Sequence, residues 1–216
     1  MTHTNHRQGT VESLSKDYVI FVYAARGINN NGAGPKCQAF LHMAFQHEPV
    51  NAGSPQVGNL FTTSANELIE GTGGQTKAYA IFDTKKKAEA LVRDITAADL
   101  GLSVIVSGLF NEVDSICRTA GIKRHTSQCS LGVWGKTEKL PGEQVMDIIT
   151  MCGHGMVSSN LVRKLAVDVK KYRLSLQDAA GQLAKPCVCG VFNPRRAEDI
   201  LREYIDGSLS GNNIYF

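Results

Sequence analysis

The stretch DYVIFVYAA, residues 17–25, runs straight into RGINNNGAG, residues 26–34, and that junction sets the reading of the fold. From Tyr18 to Ala25 no charge interrupts a run of β-branched and aromatic residues. Alternation of apolar and polar residues would mark a strand with one wet face; its absence predicts a strand buried on both faces. The glycine- and asparagine-rich turn then hands the chain to a helix beginning GPKCQAFLHMAF, with Pro35 at its favoured first position.

Outward from this unit, the pattern repeats. AYAIF (78–82) reads as a strand and DTKKKAEALVRDITAADL (83–100) as a helix capped by Asp83 or Thr84. LSVIVSG (102–108) is a further strand, LFNEVDSICRTAG (109–121) a helix closed by Gly121, and SQCSLGVWG (127–135) a last strand. Residues 48–76, rich in Gly, Pro, Ser and Asn, read as a long excursion with one short helix around SANELIE. Alternation of strands and helices predicts an α/β fold with a mixed or mostly parallel sheet and flanking helices.

Past Lys139 only helical patterns remain. Val145, Ile148, Ile149 and Cys152 fall at i, i+3, i+4 and i+7 and make one apolar face. Ser158 and Ser159 cap a helix that ends in basic residues, and Ser175 with Asp178 forms a capping box for the next. Asn193 and Pro194 read as cap and first residue of the last. The expected organisation is a flexible N-terminus at 1–16, an α/β core at 17–139, and a helical, cysteine-bearing segment at 140–216 packed on the core as one domain.

A net charge of +3 on 216 residues demands neither nucleic acid nor a membrane as partner. No stretch reaches the roughly 18 apolar residues that span a bilayer, and the polar opening lacks a signal peptide's apolar centre. The expected compartment is the cytoplasm, with homo-oligomer formation left open. In that setting six cysteines point to metal or catalysis rather than to a disulfide framework.

Three of the six cluster near the C-terminus, in MCGHG (151–155) and KPCVCGVF (185–192), both predicted to be loops at helix ends. Thiolates and imidazole are the preferred ligands of zinc, and three thiolates anchor an iron–sulfur cluster with one open iron. Cys152, Cys187 and Cys189 are therefore the expected metal ligands. The ligand count resembles that of cluster-dependent hydro-lyases and desulfurases, whose open iron acts as a Lewis acid. The expectation is a [4Fe–4S] lyase acting on a small anionic substrate, with His154 and Cys152 as its catalytic groups. Zinc held by Cys152, His154, Cys187 and Cys189 in a non-catalytic or sensing module is the alternative. For the anion, the turn between the first strand and helix offers Arg26, Gly34 and Lys36, and Arg195 lies near the second cysteine loop.

MCGHG also resembles the short motif of the proline racemase family, in which a cysteine at a helix start abstracts a substrate proton. That resemblance implies a metal-free acid–base enzyme with Cys152 as the base. It rests on Met151 to Gly155. The family's second cysteine sits in a serine-proline-cysteine-glycine context, where this chain has Lys185, Pro186 and Cys187.

Overall fold

The computed structural model describes residues 3–209. A short 3-10 turn (His3–His6) and helix α1 (Val11–Leu14), capped by the Thr10 side chain, precede strand β1 (Tyr18–Tyr23). Then follow α2 (Ala33–Gln46), β2 (Asn51–Ser54), β3 (Gly58–Asn59), α3 (Ala65–Gly71), β4 (Lys77–Phe82), α4 (Lys85–Ala98), β5 (Ser103–Ser107) and α5 (Phe110–Thr119). Helices α6 (Glu143–Ile149), α7 (Ser159–Lys170), α8 (Leu176–Ala184) and α9 (Pro194–Leu209) complete the chain as described.

The five strands form one sheet in the order β3-β2-β4-β1-β5, and every neighbouring pair is antiparallel. The mixed α/β class stands, but the mostly parallel sheet is corrected. The reason lies in the crossovers. β1 and β2 run the same way and are joined through α2; β4 and β5 run the other way and are joined through α4. Each crossover skips one place in the sheet, and a strand of opposite direction fills the gap. This is the split βαβ arrangement. Local sequence shows the βαβ units but not the interleaving.

The two-sided burial of β1 does hold. Tyr18, Ile20 and Val22 face a core built with α2, α4 and Leu68 of α3. Val19 and Phe21 face a second core supplied by α6 to α9. The sheet is thus the middle of three layers, which is why an antiparallel strand reads as a continuous apolar run.

Three local readings change. Gly32, with φ +71°, is the N-cap of α2, so Pro35 is the third helical residue rather than the first. Within 48–76 the chain forms β2 and β3, too short and too rich in Gly and Asn to carry a strand signature. SQCSLGVWG is not a strand. Residues 121–140 are exposed throughout; Gly132 and Gly135 both sit at φ +94°, which breaks the extended run. The N-terminal residues pack: Thr4 is buried and its hydroxyl lies 2.7 Å from that of Ser107 on β5. Among the described residues no helix is long and apolar enough to cross a membrane.

Candidate metal centre

The sheet face toward α6–α9 carries a row of residues in register. Gly53 of β2 lies opposite Tyr79 of β4, which lies opposite Phe21 of β1. The Phe21 and Tyr79 rings stack with centroids 5.0 Å apart. A glycine at the end of this aromatic row leaves a depression. The turn between α8 and α9, which holds Cys187 and Cys189, settles into it.

That turn is fixed by backbone contact and by two buried asparagines. A Cβ on Gly53 would stand 2.6 Å from the Cys189 carbonyl oxygen, and one on Gly190 would stand 2.7 Å from the Ala52 carbonyl. The Asn59 amide donates to the carbonyls of Cys187 (2.9 Å) and Ala184 (3.2 Å), and its own oxygen accepts from the Phe61 N–H. Asn51 donates to the Phe192 carbonyl at 2.9 Å. Cys152 comes from the turn after α6, so the two predicted loops meet.

The thiols stand in contact. Cys187 Sγ lies 3.9 Å from Cys189 Sγ, and Cys189 Sγ lies 3.7 Å from His154 Nδ1. Cys152 adjoins this pair, with Cys187 the neighbour that acts most on its thiol. All three cysteines are buried, with at most 1% exposure, whereas His154 is at the surface. Among the described residues these groups do not form a ready-made cage of three or more ligands. They form a chain of pairwise contacts between thiols that still share protons.

The chain has a direction. Its hydrogen bond to Cys187, then burial, raises Cys152. For Cys187 the bond from Cys152 pulls down, but the bond to Cys189 and burial outweigh it and push the thiol up to about 12. Cys189 is lowered, first by its bond from Cys187 and against burial, with help from the Val191 N–H and the Arg7 charge. Backbone N–H groups of His154 and Met156 turn to Cys152, that of Phe192 to Cys187, and that of Val191 to Cys189. Such donors stabilise thiolate charge and tune metal–sulfur bonds. The Tyr79 phenol is raised by burial and by the neighbouring Cys189 and Cys187 charges.

A buried arginine pair backs this site. Arg7 and Arg196 both bond Asp17 Oδ2, at 2.5 and 3.0 Å, and Asp17 is fully buried. Two guanidinium groups share this carboxylate, and Asp147 adds a second acidic group beside Arg196. Arg7 also donates to the Val191 carbonyl, on the residue whose N–H serves Cys189.

The other expected site residues lie elsewhere. Gly34 and Lys36 are on α2, which packs on the opposite face of the sheet. Gly34 is there for close packing, since a Cβ on it would fall 1.7 Å from the Gly73 carbonyl oxygen. In the turn before it, the Asn29 and Asn30 side chains accept from the N–H groups of Ala25 and Gly27, and Arg26 is exposed. Arg195 pairs with Glu198 at 3.8 Å and lines a cleft of about 390 Å³ with Phe61, Asp83 and Lys87. Sequence reasoning missed Gly53, Asn51, Asn59, Arg7 and Asp17. The only signals they leave are glycine and asparagine in a short hairpin and an arginine in a polar leader.

Comparison with family models, with curated proteins and with solved structures gives no match to this chain, so geometry alone carries the functional reading.

Proposed function

We propose that this protein binds one thiolate-preferring divalent ion, zinc foremost, through the sulfurs of Cys152, Cys187 and Cys189 and Nδ1 of His154. The observation that carries this reading is the pair of separations around Cys189, 3.9 Å to sulfur and 3.7 Å to nitrogen. A tetrahedral ion with Zn–S bonds of about 2.3 Å and a Zn–N bond of about 2.0 Å has S···S edges of about 3.8 Å and S···N edges of about 3.5 Å. Two of the six edges of such a tetrahedron, the two that meet at Cys189, are near these lengths.

The iron–sulfur lyase reading uses the same sulfurs, and the N–H donors around them are of the kind that set cluster potentials. A cubane's terminal thiolates bind different irons, so Cys187 and Cys189 would have to move well apart. A metal-free base at Cys152 is less well supported, because its thiol is held protonated. Zinc at this place would tie α6–α9 to the sheet through both cysteine turns.

Anaerobic purification followed by metal and acid-labile sulfide analysis tests the proposal. One zinc per chain and no visible absorption is the expected result. About four irons with matching sulfide, the content of a cubane, would replace it with the lyase.

A further inference from the structure

The exposed stretch between α5 and α6 inverts the usual placing of apolar side chains. Leu131 is 84% exposed, Trp134 83% and Val133 50%, and none of the three belongs to either core. Gly132 and Gly135, both at φ +94°, turn the backbone around this tip. The Trp134 indole donates to the Leu131 carbonyl at 3.1 Å, and the Gly132 N–H donates to the Ser130 hydroxyl at 3.2 Å. The indole donor is thus satisfied within the tip, and can leave bulk water without being orphaned. From Thr126 to Gly135 no residue is charged. Cations stand on either side: Lys123 and Arg124 before, Lys136 and Lys139 after, against the single acid Glu138. Arg124 belongs to the fold, since it bonds Asp114 at 2.5 Å and Ser127 at 2.6 Å and so anchors the stretch to α5. The three lysines enter no ion pair among the described residues.

A net charge of +3 over the whole chain conceals this local arrangement. An uncharged apolar tip with cations at its base matches the layering of an anionic bilayer surface. Tryptophan favours the interfacial layer, and lysines are drawn to acidic headgroups. We propose that residues 123–139 dock the protein reversibly on an anionic membrane surface, with Leu131, Val133 and Trp134 in the interfacial layer and Lys123, Lys136 and Lys139 at the headgroups. Single-stranded nucleic acid fits the tip less well, because bases stack on aromatic faces and neither Leu131 nor Val133 has one. None of these residues belongs to the cysteine site, so the proposal stands whether or not a metal binds there.

Trp134 is the one tryptophan of the chain, so its fluorescence reports on this tip alone. The full chain is mixed with phosphatidylcholine vesicles, with and without about one third phosphatidylserine. With the anionic vesicles the emission should shift to the blue and become shielded from acrylamide, and salt at about 0.5 M should reverse both changes. Phosphatidylcholine alone should produce neither. The double variant Lys136→Gln/Lys139→Gln should bind anionic vesicles about 25-fold more weakly, at about fivefold for each lysine near the surface. Leu131→Ser keeps the reporter and should weaken binding several-fold, since less apolar surface leaves water. All three positions are exposed, so both variants should melt as the parent does. Emission that stays unshifted with anionic vesicles overturns the proposal, as does a shift that survives the loss of both lysines. With vesicles silent, a blue shift that grows with protein concentration would assign the tip to a second copy of the chain. Quenching by a single-stranded oligonucleotide, again with vesicles silent, would assign it to nucleic acid. Either result replaces the lipid surface.

Discussion

Gly53 on β2 and Gly190 in the second cysteine turn lie backbone against backbone. A Cβ on Gly53 would come within 2.8 Å of the Gly190 Cα, and a Cβ on Gly190 within 2.7 Å of the Gly53 Cα. Neither contact involves a flexible side chain that could yield. The pair therefore sets how closely the Cys187–Cys189 turn approaches the sheet, and with it where two of the sulfurs stand.

Gly190→Ala should displace that turn. The position also has φ +74°, where a side chain is strained. A loss of about 2–3 kcal/mol is expected, equivalent to about 4–12 °C in Tm for a chain of this size. Thermal melts with and without zinc check it. Because the turn carries two ligands, the variant should also lose most of the stabilisation that zinc gives the parent.

Asn59→Ala should act on the same turn by a different route. It removes the donor to the Cys187 and Ala184 carbonyls, both buried, and leaves them without that bond. The expected cost is about 2–3 kcal/mol, read from chemical denaturation. Asn59→Asp should fare no better, since a carboxylate cannot donate to a carbonyl.

The arginine pair gives a contrast of signs. Asp17→Asn leaves two buried guanidinium groups without their shared counter-charge and should cost about 3–5 kcal/mol. Arg7→Met leaves Arg196 paired with Asp17 at 3.0 Å and should fold. Its metal affinity should fall, because the positive charge near Cys189 is gone. Competition with a chromophoric chelator measures this. Equal zinc affinity in Arg7→Met and the parent would remove Arg7 from the electrostatics of the site.

The metal-free protein should lose stability as pH rises above the ordinary thiol range near 9. Burial pushes Cys37 up to about 11, and Cys187 rises to about 12. Thiols that keep their protons longer in the folded state stabilise it below the unfolded pKa and lose that contribution as pH climbs through the folded one. Cys189, which is lowered, acts in the opposite sense but is one group against several. Zinc binding needs deprotonated sulfur, so its apparent affinity should rise with pH. Melts from pH 7 to 11, with and without zinc, should diverge.

Much of this molecule is legible from local pattern, and the reasons for the rest are physical. The run from Tyr18 to Tyr23 declares its two-sided burial, and the caps at Ser158, Ser175 and Asn193 announce helices that form. The strand directions are not legible, because a crossover that skips one place in a sheet has the same local sequence as one that does not. The strand read at 127–135 is overruled by two left-handed glycines. Cys152, Cys187, Cys189 and His154 stand out by residue type, and the chain brings them together. Asn59 and Arg7 do not stand out, since an asparagine in a hairpin and an arginine near the N-terminus are ordinary until tertiary contact gives them a carbonyl or a carboxylate to hold.

X-ray absorption at the zinc edge is the most direct test for a single tetrahedral ion held by these side chains. The zinc-loaded protein should show three sulfur neighbours at about 2.3 Å and one nitrogen at about 2.0 Å. His154→Ala should keep the sulfur shell and lose the imidazole signature. A shell dominated by nitrogen and oxygen, or fewer than three sulfurs, would contradict the assignment of Cys152, Cys187 and Cys189 as ligands of one metal.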